Sequence, residues 1–435
     1  MIRGNIVRTE IDNVQAASGR QGLGCDKGLR CRFCDSPLRH VFVDLGMSPL
    51  SNAYLKPADL ARMEPFYPLV VFVCEKCFLV QLEEFESPGH IFSDYSYFSS
   101  FSDSWVEHAK VYTHMIVERF GMDRSHRVVE IASNDGYLLQ HFVAREIPVL
   151  GIEPAANVAE AAIQKEIPTI VEFFGESLAR RLAAEGAGAD LIVGNNVLAH
   201  VPQLNDFVKG LKILLKPEGI ITLEFPHLMR LMEENQFDTI YHEHFSYFSL
   251  HAVRQVMAAH GLTLFDVEEL STHGGSLRIY ARHQEDRSSA IAGRVADLAA
   301  RENAAGVTDL KTYVTFGEKV KHTKRKFLDF LIAAKNEGKS VVGYGAPAKG
   351  NTLLNYCGVR TDFIDYTVDR SPHKQSHFLP GTHIPIHHPD RIKKTRPDYV
   401  LILPWNLTEE ITSQMSYIRD WNGRFVVPIP EVKVL

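Results

Sequence analysis

Through the middle of the chain short apolar runs alternate with polar, helix-periodic stretches. Strands are expected at 128–131, 149–152, 169–171, 191–194, 220–225, 262–267 and 277–281, with helical patterns between most of them. Such alternation implies βαβ units and a parallel sheet. The last two strands are close in sequence and fit an antiparallel pair at the sheet edge. Ahead of this region, residues 40–43 and 69–73 alternate with period two among Cys, Pro and aromatic residues, which predicts small β hairpins. Behind it, a helical stretch from 284 to 338 carries Lys319, Lys321, Lys324, Arg325 and Lys326, with Phe316, Phe327, Phe330 and Leu331 available for burial. A second βαβ series follows, with strands at 340–344, 363–368 and 399–403 and a helix through Leu353. The expected organisation is α/β: a tail (1–24), an N-terminal β lobe (25–90), a central sheet domain (91–283), a helical connector (284–338) and a C-terminal Rossmann-like lobe (339–435).

Composition narrows the class. At 435 residues, 45% hydrophobic and 23% charged, this is ordinary globular protein in two to four domains. Lys+Arg 47 against Asp+Glu 53 gives −6, so no global positive field gathers nucleic acid or anionic lipid. Neither nucleic acid nor membrane is an expected partner, and any acidic ligand must be held locally. No apolar run approaches the ~18 residues that cross a bilayer, and mean hydropathy is −0.11. Met1 to Gly24 mixes Arg3, Arg8, Glu10 and Asp12 with scattered apolar residues and lacks the core of a secretory signal. The expectation is a cytoplasmic protein, a monomer or weak homodimer.

Four of six cysteines fall in two C-x-x-C pairs, Cys31/Cys34 and Cys74/Cys77. Four thiolates in two knuckles are the set that a tetrahedral structural Zn²⁺ requires, and they leave no open position for catalysis. The 39 residues between Cys34 and Cys74 exceed a simple loop and predict a folded excursion. Cys25 and Cys357 have no partner at ligand spacing.

Glu130-Ile-Ala-Ser-Asn134-Asp135-Gly136 ends the first central strand and opens a helix, as the first βα turn of a nucleotide-binding sheet does. It has one glycine, so the G-x-G-x-x-G dinucleotide fingerprint fails, and a pyrophosphate would meet Asp135. Glu153, seventeen residues after Gly136, ends the next strand in place to hold ribose hydroxyls. An acidic turn plus a ribose acid suits a cationic donor such as S-adenosylmethionine. Asn195, Asn196 and His200 close the strand at 191–194 on the same edge.

Tyr241-His242-Glu243-His244 puts four titratable groups in consecutive positions after the strand at 220–225. Ser246 stands where the zinc-protease motif H-E-x-x-H needs its second His, so an acid/base cluster is the better reading. Sequence does not choose between His242 and His244, nor between a helical and an extended segment. Farther on, Gly343-Tyr344-Gly345-Ala-Pro-Ala-Lys349-Gly350-Asn351 follows a strand and opens a helix, an anion site suited to phosphate, with Asp369 in place for a ribose. Lys374 and Trp405 end later strands on that edge.

Taken together and in order, these motifs, with His273-Gly-Gly275-Ser276, resemble the S-adenosylmethionine-dependent C-methyltransferases that act on nucleotide-linked ketosugars, such as the dTDP-linked precursors of tetronitrose and mycarose. The resemblance covers about 31–430. It implies a zinc-binding N-terminal lobe, a central class I methyltransferase sheet and a C-terminal lobe holding the sugar nucleotide. By the same match His244 is the base, with Tyr241, Glu243 and His200 around it, while Glu130, Asn134, Asp135, Gly136, Glu153 and Asn195 line the donor. A covering lid at 95–104 would include Tyr95. The sugar nucleotide would meet His273, Gly275, Ser276, Tyr344, Lys349, Asn351, Asp369, Lys374 and Trp405. It also implies a dTDP-linked 4-keto-6-deoxy sugar methylated at C-3. Two other classes compete with it: a nucleotide-sugar oxidoreductase holding NAD at 343–369, which leaves the acidic turn without a task, and a zinc-knuckle nucleic-acid or scaffold protein. The latter needs a basic stripe, whereas Asp35, Glu75, Glu83 and Glu84 offset Arg32, Arg39 and Lys76.

Overall fold

The computed structural model describes residues 28–91, 98–288 and 290–435; the tail, Cys25 and Tyr95 lie outside them. At the N-terminus β1 (His40–Ser48), β2 (Tyr67–Val73) and β3 (Val80–Leu82) form an antiparallel meander, of which β1 and β2 are the folded excursion between the two cysteine pairs.

The central sheet is built from β4 (Val128–Ile131), β5 (Val149–Ile152), β6 (Thr169–Ile170), β7 (Ala189–Asn195) and β8 (Leu215–Pro226). A two-residue strand β9 (Ser246–Tyr247) comes next, then β10 (Leu262–Leu270) and β11 (Ser276–His283). The order is β10-β11-β8-β7-β4-β5-β6, parallel from β6 to β8. The last two strands are antiparallel, as their closeness in sequence suggested. All four residues of β4 are buried, and they alternate between cores. Val128 packs with Tyr112, Ile116 and Phe142 on one face, while Val129 and Ile131 pack with Leu178, Leu182 and Leu211 on the other. A strand covered on both faces reads as a continuous apolar run. After β4 the chain moves to β5 on one side and returns to β7 on the other, which opens a crevice outside the carboxyl ends of β4 and β7. Gly136 turns the chain there at φ +76°, and a Cβ on it would sit 2.4 Å from Ile167 Cδ1.

The connector is three helices, Gly293–Ala304, Leu310–Val314 and Phe316–Asn336. Beyond it lie β12 (Val341–Tyr344), β13 (Thr367–Val368), β14 (Ile386–His387), β15 (Tyr399–Ile402), β16 (Arg424–Val427) and β17 (Lys433–Val434), ordered β14-β13-β12-β15-β16-β17. All pairs but β16/β17 are parallel, so a second switch point falls between β12 and β15.

The lobes are less separate than the sequence suggested. β9 leaves the central region and pairs with β3, through Val80 with Tyr247 and Gln81 with Ser246, completing the N-terminal sheet. One apolar cluster joins Phe42, Leu69 and Val80 to Phe237, Phe316, Phe327, Leu353 and Leu401. Phe42 stacks on Phe316 with ring centroids 4.6 Å apart. The N-terminal lobe is too small to bury a core alone, so it shares one with the connector and the C-terminal lobe. No helix among the described residues is long and apolar enough to cross a membrane.

Candidate active site and zinc centre

The two knuckles close in the same way. Phe78 N–H donates to the Cys74 carbonyl, and Asp35 N–H to that of Cys31. In each, the residue four after the first cysteine is left-handed, Asp35 at φ 58° and Phe78 at φ 56°. The four Sγ atoms lie within 4.8 Å of one another, with Cys31 to Cys77 at 3.6 Å and Cys34 to Cys74 at 3.5 Å. Zn–S bonds of about 2.3 Å in a tetrahedron require S···S edges of about 3.8 Å. The set therefore fits zinc, and the metal adds folding free energy there rather than a reactive position. Gln81 Nε2 donates to Cys31 Sγ at 3.2 Å and its Oε1 accepts Arg32 N–H at 2.9 Å, so β3 ties down the first knuckle.

At the switch point of the central sheet lies a cavity of about 1000 Å³. Asn134, Glu153, Asn195 and Phe173 line one end; His200, Tyr241, Glu243, His244 and His273 the middle; Lys349 and Lys374 the other end. All three lobes contribute, because Asn52 and Tyr54 of the N-terminal lobe are also on the wall.

The acidic end is built around Glu153. Its carboxylate accepts Asn134 N–H at 3.0 Å and Ala155 N–H at 2.9 Å, and burial raises its pKa. Glu130 is fully buried, and its pKa is pushed up by burial with Glu153 and Asp135 acting in the same sense. Of the three acids only Glu153 is on the cavity wall, at the end of the second strand and beside Asn134, where a carboxylate can accept from ribose hydroxyls, so S-adenosylmethionine fits these residues.

His244 is seated by its neighbours in the chain. His244 N–H donates to the Tyr241 carbonyl at 2.9 Å, so the four residues form a turn rather than a helix or a strand. Next to it Phe245 N–H donates to the Ala199 carbonyl at 2.7 Å, and its carbonyl accepts Leu82 N–H at 3.0 Å. The turn is thus pinned between the loop after β7 and the edge of the zinc-binding lobe. It brings the Tyr241 and His244 rings to 4.0 Å, with His200 4.7 Å from His244. Nδ1 of His244 lies 2.9 Å from the Thr239 carbonyl, which can only accept, so Nδ1 carries the proton and Nε2 holds a lone pair. Burial, then the neighbouring His200, His273 and Lys349, holds the His244 pKa well below that of an ordinary histidine. Burial brings His200 and His273 each down to about 4. Neutral His200 uses its N–H on the Glu243 backbone carbonyl. His242 turns away, with Nε2 3.2 Å from the Pro68 carbonyl among Tyr67 and Phe85. Of the two histidines, His244 lines the cavity and His242 does not.

Several expected residues lie off the cavity wall. Glu130 is behind the turn; Asp135 accepts Ser100 N–H at 3.3 Å and faces Lys165 Nζ at 3.6 Å; Gly136 shapes the turn. Gly275 and Ser276 support the loop that carries His273, the Ser276 hydroxyl donating to the Thr272 carbonyl at 3.0 Å. Tyr344 packs in the C-terminal core with Val368 and Ile402. Asn351 Nδ2 donates to the Ser51 carbonyl at 2.6 Å, and Asp369 accepts Ala346 N–H and Ser371 N–H, both at 2.8 Å. Strand-end motifs mark the right edge of a sheet, but the shortest side chains there are spent on holding the loops. Trp405 acts one step back: Lys349 Nζ lies 4.4 Å over its ring and donates to Asn406 Oδ1 at 2.7 Å. Trp405 Nε1 in turn donates to Asp238 Oδ2 at 2.7 Å. Asn52, Tyr54, Trp105 and Phe173 also line the cavity, and no local sequence motif marks them.

Family profiles match a zinc binding domain at 31–92, a methyltransferase domain at 105–267 and a C-methyltransferase C-terminal domain at 271–430. C-methyltransferase NovU of Streptomyces niveus is 35% identical over 405 residues, 93% of this chain and 96% of that protein. Among solved structures, the PH0226 protein of Pyrococcus horikoshii superposes with a TM-score of 0.36 at 15% identity, over 46% of this chain and 99% of that one. A methyltransferase of Thermotoga maritima gives 0.34 at 18% identity, over 45% and 99%. With its zinc-binding lobe, its acidic donor turn and a full-length relative at this identity, the chain belongs to the C-methyltransferase family and is an S-adenosylmethionine-dependent C-methyltransferase.

Proposed function

We propose that the enzyme methylates the carbon beside the ketone of a nucleotide-linked keto sugar, and that the substrate is a dTDP-linked 4-keto-6-deoxy sugar methylated at C-3. The supporting observation is the continuity of the cavity. A single chamber runs from Glu153 and Asn134 past His244 to Lys349 and Lys374. Carbon becomes nucleophilic here only as a carbanion equivalent, and a sugar carbon is acidic only next to a carbonyl. Bound S-adenosylmethionine supplies an electrophilic methyl group on a sulfonium.

The chain supplies the rest. Nε2 of His244, unprotonated at neutral pH, takes the proton alpha to the ketone and becomes an imidazolium whose Nδ1–H stays on the Thr239 carbonyl. The electron pair of the broken C–H bond moves onto the ketone oxygen. Tyr241, whose ring lies 4.0 Å from that of His244, donates its O–H to that oxygen. His200 serves as packing and as an acceptor, since its N–H is committed to Glu243. Lys349 and Lys374 meet the anionic nucleotide end. Burial lowers the Lys349 pKa to about 8, so its ammonium is still charged at neutral pH.

A thermal-shift panel of nucleotide keto sugars, each with and without S-adenosylhomocysteine, tests the reading. Ligands that bind only the folded state at 100 times Kd stabilise by about 2.7 kcal/mol. The expected result is a shift of several degrees for dTDP-linked 4-keto sugars, larger with S-adenosylhomocysteine present. A shift with NAD and none with any nucleotide sugar would contradict it.

A further inference from the structure

The zinc-binding lobe reaches the reaction chamber through the loop that follows β1. Leu55 pairs with Phe378 of the C-terminal lobe, N–H to carbonyl at 3.0 and 2.8 Å in the two directions. The Ser51 carbonyl accepts Asn351 Nδ2 at 2.6 Å. The Tyr54 hydroxyl donates to the Ala346 carbonyl at 2.5 Å, and Lys374 Nζ lies 5.3 Å over the Tyr54 ring. Held from both sides, the loop presents Asn52, whose Nδ2 donates to Glu243 Oε1 at 2.6 Å. An ionised carboxylate can only accept, so it is the NH₂ of the Asn52 amide that faces Glu243.

We propose that Asn52 is a positioning residue for methyl transfer: it holds the Glu243 carboxylate in one orientation and in the ionised form, so that Glu243 accepts a hydrogen bond from the hydroxyl or amino group on the sugar beside the reacting carbon. The proposal rests on the keto-sugar reading above. Glu243 is buried, lines the cavity next to His244, and its own backbone carbonyl accepts from His200. A protonated carboxyl would turn one oxygen into a donor and lose that function. Burial pushes Glu243 up to about 7, and the Asn52 amide and the Lys374 ammonium act against it. The titratable and charged groups around it are Tyr54 from the zinc-binding lobe, Lys374 from the C-terminal lobe, His200 from the loop after β7, and Tyr241 and His244 on its own turn. Donation to the charged form of a carboxylate favours that form, so without it the Glu243 pKa rises.

The test is the pH dependence of kcat/KM for methyl transfer to a dTDP-linked 4-keto-6-deoxy sugar in the wild type, N52A, N52D and E243Q, with S-adenosylhomocysteine affinity as the check on folding. The expected N52A profile has its acidic limb displaced upward by about one pH unit, a roughly 10-fold loss on that limb, with recovery toward the wild-type rate in alkali. N52D, which places a second carboxylate beside the first, moves the limb further. E243Q is slow and lacks the limb. Losses in N52A and N52D that are the same at every pH, with E243Q impaired, would overturn the positioning role alone. E243Q with the wild-type rate and profile would remove Glu243 from the keto-sugar reading, and the proposal with it.

Discussion

Replacing His244 by Ala is expected to lower kcat for methyl transfer by about 10²–10⁴-fold, the range a positioned general base supplies. S-adenosylhomocysteine affinity should stay within a few-fold, because Asn134, Glu153 and Asn195 are held by β4, β5 and β7 rather than by the 241–244 turn. Turnover by quenched-flow or product mass spectrometry, with calorimetry for the donor analogue, measures both. Near-normal turnover would remove His244 from the role of base. The wild-type pH profile carries a related expectation. Since burial and the neighbouring His200, His273 and Lys349 depress the His244 pKa, its neutral form persists as pH falls below 6.5, so this residue does not set the acidic limb. Glu243, raised to about 7, does. His244→Gln should therefore be slow without shifting the limb's midpoint.

The second large effect concerns the metal. Cys74→Ser is expected to abolish stoichiometric zinc, lower the melting midpoint by about 10 °C or more, and abolish methyl transfer. Structural zinc contributes apparent binding free energies of about 10–16 kcal/mol in small domains, and even part of that is a large shift for a chain of this size. Its reach extends beyond its own lobe for a structural reason. Cys31, Cys74 and Cys77 are in the same apolar cluster as Phe248, Leu250 and Leu211 of the central domain. β3, which follows the second knuckle, holds β9 and so fixes the turn that seats His244. Metal content by elemental analysis and unfolding by calorimetry are the measurements; a zinc-free variant with full activity would contradict the assignment.

What could be read in the sequence follows from which physical signals are local. β4 and β5 are legible to the residue because each is a short run of aliphatic positions, Val128, Val129 and Ile131 in one and Val149, Leu150 and Ile152 in the other, between polar turns. The cysteine knuckles are legible because ligand spacing is itself the signal. β9 is not: Ser246–Tyr247 is two residues long and becomes a strand only because β3 offers an edge 165 residues away in sequence. That His244 and not His242 lines the cavity depends on that same pairing. Asp135, Asn351, Asp369 and Ser276 belong to motifs that mark ligand-binding edges, yet their hydrogen bonds go to neighbouring backbone or side chains. Asn52 has no local signal, since its task exists only once the three lobes pack together.

The central claim is that His244 deprotonates the sugar carbon before any methyl group moves. The most direct test incubates enzyme, a dTDP-linked 4-keto-6-deoxy sugar and S-adenosylhomocysteine in deuterated water and follows the protons alpha to the ketone by NMR. Wild-type enzyme should wash out the C-3 proton with enzyme-dependent kinetics and leave the other alpha proton, at C-5, in place, and His244→Ala should slow the C-3 exchange by about 10²-fold or more. No exchange despite saturating sugar, or exchange at the wild-type rate in His244→Ala, would contradict the account.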